Sequence, residues 1–375
     1  MAIYLDYNAS TPIAPEVAEV MREAMNSAYG NPSSGHWAGL PAREMVQEAR
    51  QQVADLLGCE AREVVFTSGG SEANNFAIKG AFFGSGKVRR HFITTRVEHP
   101  SIVAPLCFLE RLGAEVTWLP VDSTGSVDAD DLRRAITPDT ILISIMHANN
   151  EVGTIQPVEA CSAIAREHGI PFHTDAAQSV GKVRTRVDEL GVDLLTIAGH
   201  KLYAPKGVGA LYIRNGTHLE PLIHGAGHEG GRRAGTESAL LAGALGKACV
   251  LARDLSAMRG VRAHRDRFWT RVQARFGSDV VLNGHPEKRL PNTLNVSFVG
   301  RVGAEILSAM PEVAASTGSA CHSGRVELSP VLDAMGVAPN VGMGAIRFSL
   351  GRSTGEDDVD AAALALEMAL ALQVR

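Results

Sequence analysis

The pattern of hydrophobic and polar positions predicts short buried strands that alternate with amphipathic helices over the first two thirds of the chain. Apolar runs predict strands at residues 64–67, 91–95, 115–120, 140–146, 171–174 and 194–198, and a return strand at 209–213. Helices are predicted at residues 15–28, 41–57, 71–81, 101–112, 128–135 and 158–168. Because the strands are almost continuously apolar, we expect an α/β domain whose mostly parallel central sheet is covered on both faces.

The remaining third of the chain has a different pattern. A helix-rich stretch at 237–277 precedes predicted strands at 292–299, 313–315 and 345–350 and predicted helices at 303–310 and 356–372. This order predicts a smaller α+β domain, joined by the first residues of the chain. The expected division is a large domain of residues 16–255 and a small domain of residues 1–15 and 256–375.

Composition narrows the class of protein. Of the 375 residues, 45% are hydrophobic and 21% are charged, and the net charge is −5, as expected for a soluble protein without a nucleic-acid or membrane partner. The cysteines have no paired C-x-x-C spacing, which favours reduced thiols, a cytoplasmic location and no metal site. They are Cys59, Cys107, Cys161, Cys249 and Cys321.

Two predicted strands end in residues of complementary chemistry. Lys201 follows the strand at 194–198, and Asp175 ends the strand that contains 171–174. A lysine beside a turn is ordinarily a surface charge, but an amine nucleophile together with a buried carboxylate is what pyridoxal phosphate (PLP) requires. Ligands of such sheets bind beyond the carboxyl ends of the strands, where both residues lie.

Three further strand ends carry polar residues, each with a plainer alternative. Gly70 and Ser71 open a helix and would bind a phosphate, although the turn is also an ordinary serine-capped turn. His99 would lie on a planar cofactor and carry protons, or would merely cap the helix that begins near Ser101. Asn150 would donate to a carboxylate, or would be a turn asparagine.

The small domain adds two candidates. Strand alternation places Arg347 and Ser349 on one face, and we leave Arg347 unassigned; Arg352, just past the strand, is free to bind a substrate carboxylate. Cys321 lies in a run of small residues at 316–324 that predicts a mobile, exposed loop, which suits a nucleophile that must move.

Together these residues resemble those of the PLP-dependent cysteine desulfurases of the nitrogen-fixation and iron–sulfur-assembly type, within the class V aminotransferases. The resemblance extends from Tyr4 to Arg352. Its motifs are Asn31-Pro32-Ser33-Ser34, Glu98-His99, Asn149-Asn150-Glu151-Val152-Gly153, Asp175-Ala176-Ala177-Gln178-Ser179-Val180-Gly181-Lys182, Gly199-His200-Lys201, Arg233-Ala234-Gly235-Thr236 and Gly318-Ser319-Ala320-Cys321.

The resemblance implies the fold type I architecture of PLP enzymes, a homodimer and a role for each matching residue. Lys201 would be the Schiff-base lysine, with Asp175 on the pyridine nitrogen, Gln178 on the ring oxygen and His99 stacked on the ring. Ser71 and His200 would hold the phosphate, and Thr236 would contribute from the partner subunit. Asn150 and Arg352 would bind the carboxylate of L-cysteine. Ala198 departs from the family, whose members commonly have a hydroxyl there.

The implied reaction converts L-cysteine to L-alanine. The thiolate of Cys321 would take the substrate sulfur as a persulfide and pass it to an acceptor, which would be an iron–sulfur scaffold or another carrier protein. A thiol of ordinary pKa needs a proton acceptor, for which His99 and His322 are candidates. A selenocysteine lyase or another C–S lyase is the alternative within this fold. An aminotransferase would have no use for Cys321, and a non-catalytic dimeric binding protein would not need Lys201.

Overall fold

The computed structural model describes residues 2–317, 320–322 and 325–372, with backbone alone for 320–322, 325, 326 and 372. The strands are β1 (Ile3–Tyr4), β2 (Val64–Thr67), β3 (Arg90–Thr95), β4 (Ala114–Leu119), β5 (Thr140–Ser144), β6 (Phe172–Asp175), β7 (Leu194–Ala198), β8 (Gly209–Ile213), β9 (Val280–Asn283), β10 (Thr293–Phe298), β11 (Val313–Ala314), β12 (Ser316–Thr317), β13 (Ala320–His322), β14 (Arg325–Glu327) and β15 (Ala345–Ser349).

The helices follow the order that the periodicity predicts, with short additions. They are α1 (Pro15–Ser27), α2 (Leu40–Leu57), α3 (Gly70–Gly84), α4 (Pro100–Glu110), α5 (Ala129–Ala135), α6 (Val158–Glu167), α7 (Val187–Leu190), α8 (Ala239–Ala252), α9 (Ser256–Phe276), α10 (Gly303–Ser308), α11 (Pro330–Ala334), α12 (Pro339–Gly342) and α13 (Glu356–Leu372). None of the helices among the described residues is long and apolar enough to cross a membrane.

The central sheet is mixed and mostly parallel, as the sequence predicts. Within the described residues it has seven strands in the order β2-β8-β7-β6-β5-β3-β4. β3 to β7 pair in parallel, whereas β8 is antiparallel to both of its neighbours. β8 is therefore the return strand that the sequence indicates. Every residue of β5, β6 and β7 is buried, because helices cover both faces of the sheet.

A second antiparallel sheet, in the order β12-β15-β10-β9, has its own apolar core. α9 packs on this sheet through Phe268, which meets Phe348 of β15 edge to face with ring centroids 5.0 Å apart, and α13 contributes Leu366 to the same core. Ile3 and Leu5 of the amino-terminal segment join the same core. The division into residues 16–255 against 1–15 and 256–375 stays a prediction.

The run at 316–324 differs from the predicted loop where it is described. β12 pairs with β15, with Ser316 opposite Arg347, and β13 pairs with β14 as an antiparallel hairpin. The sequence did not reveal these strands because they are only two or three residues long and their pairing depends on partners. Residues 318, 319, 323 and 324 lie outside the described residues.

Candidate active site

A cavity of about 640 Å³ opens at the carboxyl end of the parallel strands. Strands β3, β5, β6 and β7 lead into it, as expected for an open α/β sheet. Most of the residues proposed from sequence line it together: Gly70, Ser71, His99, Asn150, Asp175, Gln178, His200 and Lys201. We refer to it as the Lys201 cavity.

Lys201 follows β7 by one short helical turn and is largely enclosed by protein. Its Nζ donates to the main-chain carbonyl oxygens of Asn8, at 2.6 Å, and Ala9, at 2.7 Å. Burial lowers the pKa of this ammonium to about 8, and the positive charge of Arg347 contributes in the same direction. Near neutral pH the neutral, nucleophilic form of this amine is therefore a minority, but a far larger one than for an ordinary lysine.

Asp175 is buried at the end of β6 and faces the same cavity. Its Oδ1 accepts from the Ala177 N–H at 2.9 Å, and its Oδ2 accepts from the Asn74 amide at 2.7 Å. These bonds fix the plane of the carboxylate. The carboxylate can stabilise a protonated nitrogen placed in the cavity.

The amino terminus of α3 forms another wall. Gly69 has φ 151° and ψ −179°, a conformation that only glycine adopts readily. A Cβ at Gly70 would lie 3.1 Å from Cβ of Ala198, so the backbone of the turn approaches β7 closely. The free N–H groups and positive end of this 15-residue helix favour an anion there.

His99 caps a helix and also lines the Lys201 cavity, and its contact with a planar cofactor stays a prediction. Its Nδ1 accepts from the Ser101 N–H at 3.1 Å, which caps α4, and the ring also lines the Lys201 cavity. Burial lowers the pKa of this imidazole. The preceding Glu98 is buried and joins two strand ends, because its carboxylate accepts from Thr95 Oγ1 at 2.8 Å and from the Met146 N–H at 2.9 Å.

Gln178 and His200 complete the wall around Lys201. Gln178 Nε2 donates to the Asn8 carbonyl oxygen at 3.0 Å, while its Oε1 accepts from Lys182 Nζ at 3.0 Å. Burial and the neighbouring lysine charges lower the pKa of His200 to about 4. His200 therefore acts as a neutral hydrogen-bonding group.

The two arginines near the end of the chain lie differently from the expectation based on sequence. Arg352 does not line the Lys201 cavity: its guanidinium lies 4.6 Å from the ring centroid of Tyr203, and its main-chain N–H donates to the Tyr203 hydroxyl. Arg347, left unassigned, does line the cavity. It is buried, pairs with Asp6 at 2.7 Å and bonds the Asn150 carbonyl oxygen at 3.1 Å.

Another sequence candidate, Thr236, lies apart from this constellation. Thr236 is exposed and lines a second cavity of about 200 Å³, which shares Ser68 and Gly207 with the first. Its expected contribution through a partner subunit stays a prediction. Cys321 lies on β13, and its side chain is outside the described residues.

Sequence reasoning missed several residues of the cavity, among them Asn8, Asn74 and Ser101. Asn8 lies just after β1 and follows no spacing rule, and its contacts to Lys201 are made by its backbone. Asn74 lies one turn inside α3, where an asparagine has no motif. Arg347 had a signal, since the strand alternation places it on one face with Ser349.

Comparison with known proteins supplies the family. The model of the family described as aminotransferase class-V matches residues 3–362. The chain belongs to this family.

Its relatives and structural neighbours agree with that assignment. "Cysteine desulfurase IscS" of Dictyoglomus turgidum is 49% identical over 363 residues, which cover 96% of this chain and 92% of that relative. The solved structure "NIFS-LIKE PROTEIN" superposes with a TM-score of 0.93 at 36% identity and covers 99% of this chain and 100% of its own. "SspA in complex with cysteine" is similar with a TM-score of 0.83 at 38% identity, over 93% of this chain and 98% of its own.

Proposed function

We propose that the chain is a PLP-dependent cysteine desulfurase that converts L-cysteine to L-alanine and transfers the sulfur to Cys321. The observation that carries the proposal is the Lys201 cavity, in which an amine of lowered pKa and a buried carboxylate face one space. The high identity to a named cysteine desulfurase over nearly the whole chain supports the same activity.

The residues of the cavity fit PLP in their chemistry. Lys201 supplies the amine for the aldehyde, Asp175 supplies a carboxylate for the ring nitrogen, and the α3 amino terminus with Ser71 and His200 supplies donors for the phosphate. When bound, PLP serves as an electron sink that makes the bonds around the substrate α-carbon labile. Ala198 has no hydroxyl, so β7 offers the phosphate no side-chain donor at that position.

The protein groups then have distinct tasks. Asn150 and Arg347 would hold the substrate carboxylate, which orients the amino acid in the cavity. Lys201, once its amine is free, would move the proton at the α-carbon, because its pKa lies near the working pH. Asp175 would keep the ring nitrogen protonated.

The Cys321 thiolate would attack the sulfur of the substrate. A new S–S bond forms as the substrate C–S bond breaks, so one cysteine and one protein thiol give one alanine and one protein persulfide. An acceptor protein, either an iron–sulfur scaffold or another carrier, would then take the sulfur. We also propose a homodimer, in which Thr236 reaches the partner's cavity, and a cytoplasmic location.

The decisive test measures alanine and sulfide released from L-cysteine in the presence of a thiol reductant. Lys201→Ala should yield a protein that lacks the yellow colour of the PLP-loaded parent and has no activity. Cys321→Ala should stay yellow and lose sulfide release. Cys107→Ala, at an exposed cysteine away from the cavity, is the matched control and should behave as the parent. Undiminished sulfide release from Cys321→Ala would refute the persulfide step.

A further inference from the structure

A continuous chain of hydrogen bonds runs along the wall of the cavity from Asp175 to His99. Asn74 Nδ2 lies 2.7 Å from Asp175 Oδ2 and 2.8 Å from Ser101 Oγ. Ser101 Oγ in turn lies 2.7 Å from His99 Nδ1. The chain therefore links the carboxylate on β6 to the imidazole before α4 through one residue of α3 and one of α4.

Each bond in this chain has one possible direction. An ionised Asp175 only accepts, so the Asn74 amide must present its NH₂ group to it; the flipped amide would set two oxygens against each other. The same NH₂ group donates to Ser101 Oγ. The Ser101 hydroxyl proton is then free to point at His99 Nδ1, which is the remaining neighbour in the chain.

A second donor meets the same nitrogen. The Ser101 main-chain N–H lies 3.1 Å from His99 Nδ1, and a backbone amide can only donate. His99 Nδ1 thus faces two donors and must be unprotonated in the neutral ring. The ring proton is left on Nε2.

We propose that Asn74 and Ser101 are positioning residues that hold His99 as its Nε2–H tautomer, so that His99 is a hydrogen-bond donor and not a resting base. The consequence for catalysis rests on the proposed desulfurase function. In that reaction His99 could accept the Cys321 thiol proton only after giving up its own or breaking the Ser101 bonds. The role of proton acceptor therefore falls to another group.

The charges around His99 are consistent with a neutral ring. Burial lowers the pKa of His99, Lys201 beyond β7 lowers it further, and Asp175 at the end of β6 opposes them. The neighbouring His200 is itself held neutral by burial. Hydrogen bonds donated to Nδ1 stabilise the neutral ring and act in the same direction as burial.

The test reads the tautomer directly. Nitrogen-15 NMR of histidine-labelled protein distinguishes protonated from unprotonated Nδ1 and Nε2, and the His99→Gln variant assigns the His99 signals. We expect Nε2–H alone in the parent, both without cofactor and loaded with PLP. A protonated Nδ1 in the neutral ring of the parent would overturn the proposal, and this measurement needs no variant that might fail to fold.

Variants then test the positioning roles. Ser101→Ala removes the hydroxyl donor but keeps the main-chain N–H, so it should raise the His99 pKa towards 6.5 and weaken the preference for the Nε2–H tautomer. Ser101→Thr, which retains a hydroxyl, should keep the parent spectrum. Asn74→Leu should have the effect of Ser101→Ala in weaker form. Ser162→Ala removes another buried serine hydroxyl, bonded to the Leu190 carbonyl oxygen, and should leave His99 unchanged.

An unchanged His99 pKa and tautomer in Ser101→Ala would refute the role of Ser101. These spectra are independent of turnover. A protein without desulfurase activity but with the expected spectra would refute the proposed function alone, and an active protein with a protonated Nδ1 would refute the tautomer alone.

Discussion

The Lys182 ammonium is buried beneath Gln178 and donates to its main-chain oxygen at 2.9 Å and to its Oε1 at 3.0 Å. This contact orients the Gln178 amide so that its NH₂ group bonds Asn8 at the wall of the cavity. Burial lowers the pKa of Lys182 to about 7. Burial of this charge therefore lowers the stability of the fold directly beside Gln178, the proposed ligand of the ring oxygen.

The lowered pKa of Lys182 predicts a pH dependence of stability. Between about pH 7 and the ordinary lysine pKa of about 10.4, the unfolded chain binds a proton that the folded chain does not, so stability rises with pH. Lys182→Met should remove up to about 1.4 kcal/mol per pH unit from that slope. Urea unfolding of cofactor-free parent and variant from pH 7 to 10 measures it, with exposed Lys87→Met as control. Lys201 adds a slope of the same sign to all three proteins, so equal slopes in parent and Lys182→Met would contradict the prediction.

Arg347 and Arg352 lead to opposite expectations for substrate binding. Arg347 lines the cavity, and its guanidinium is anchored there by Asp6 and the Asn150 carbonyl oxygen, so its charge is available to a carboxylate. Arg347→Lys should raise KM for cysteine by about 10- to 100-fold, as expected for the loss of a charged hydrogen bond. Arg352→Lys is the matched variant and should change KM little. Steady-state kinetics measure both variants. A larger increase in KM for cysteine in Arg352→Lys than in Arg347→Lys would refute this assignment.

At the scale of residues, the sequence could predict the site residues that directly follow strands. It could not predict those that reach the cavity from distant positions in the chain. Lys201, Asp175 and His99 each lie within a few positions of a predicted strand end, where the sheet itself sets their place. Asn8 contacts Lys201 across 193 positions, and it does so by its carbonyl, for which any residue type suffices. Arg347 and Arg352 are five positions apart, and only the folded structure shows which one faces the cavity.

The turn between β2 and α3 is the element on which anchoring of the cofactor phosphate would depend. A Cβ on Gly69 would meet no atom within 4 Å, so Gly69→Ala tests backbone strain without a steric clash. An alanine at φ 151° and ψ −179° should cost about 1–3 kcal/mol of backbone strain. We expect this strain to appear either as lost stability or as up to about 100-fold weaker PLP binding. Fluorescence titration with PLP and urea unfolding measure the two effects. Gly35→Ala, also in open space but without a positive φ, should change neither.

At the scale of elements, the β-α alternation was predictable because the central strands β5 and β7 are buried along their whole length and a covering helix such as α2 has one apolar face. The missed elements are short, with two to five residues each: α7, α11, α12, β9, β12 and the hairpin β13–β14. Elements of this length have too few positions to display a period, and tertiary contacts decide their conformation.

The amino-terminal segment connects the apolar core of the second sheet with the Lys201 cavity at the end of the central sheet. Leu5 packs in the core of the second sheet, while the carbonyl oxygens of Asn8 and Ala9 receive Lys201. Asp6, in the same segment, pairs with Arg347 of β15. A displacement of the second sheet relative to the central sheet would therefore move the groups that contact the Lys201 amine.

Asn8 is the residue through which this coupling can be measured. Its side chain is buried and bonds Thr293 Oγ1 at 2.9 Å, the Asn150 carbonyl oxygen at 3.1 Å and Asn292 at 2.9 Å, while its own carbonyl holds Lys201 and Gln178. Asn8→Ala removes the side-chain bonds and leaves buried partners unsatisfied, so stability should fall by about 2–4 kcal/mol.

The same substitution should change the chemistry of Lys201, although it leaves the carbonyl in place. In the parent, the rate of PLP incorporation into cofactor-free protein should rise with pH and level off above about 8, the pKa of Lys201. Without its side-chain anchors the Asn8 carbonyl is free to move and water reaches the amine, so the midpoint in Asn8→Ala should shift towards the ordinary lysine value of about 10.4. Exposed Asn26→Ala, which loses one bond to the Arg22 carbonyl oxygen, controls for loss of an amide. If Asn8→Ala lost stability and still kept the pH midpoint of the parent, that result would contradict the prediction, because the segment would then join the two sheets without affecting the pKa of Lys201.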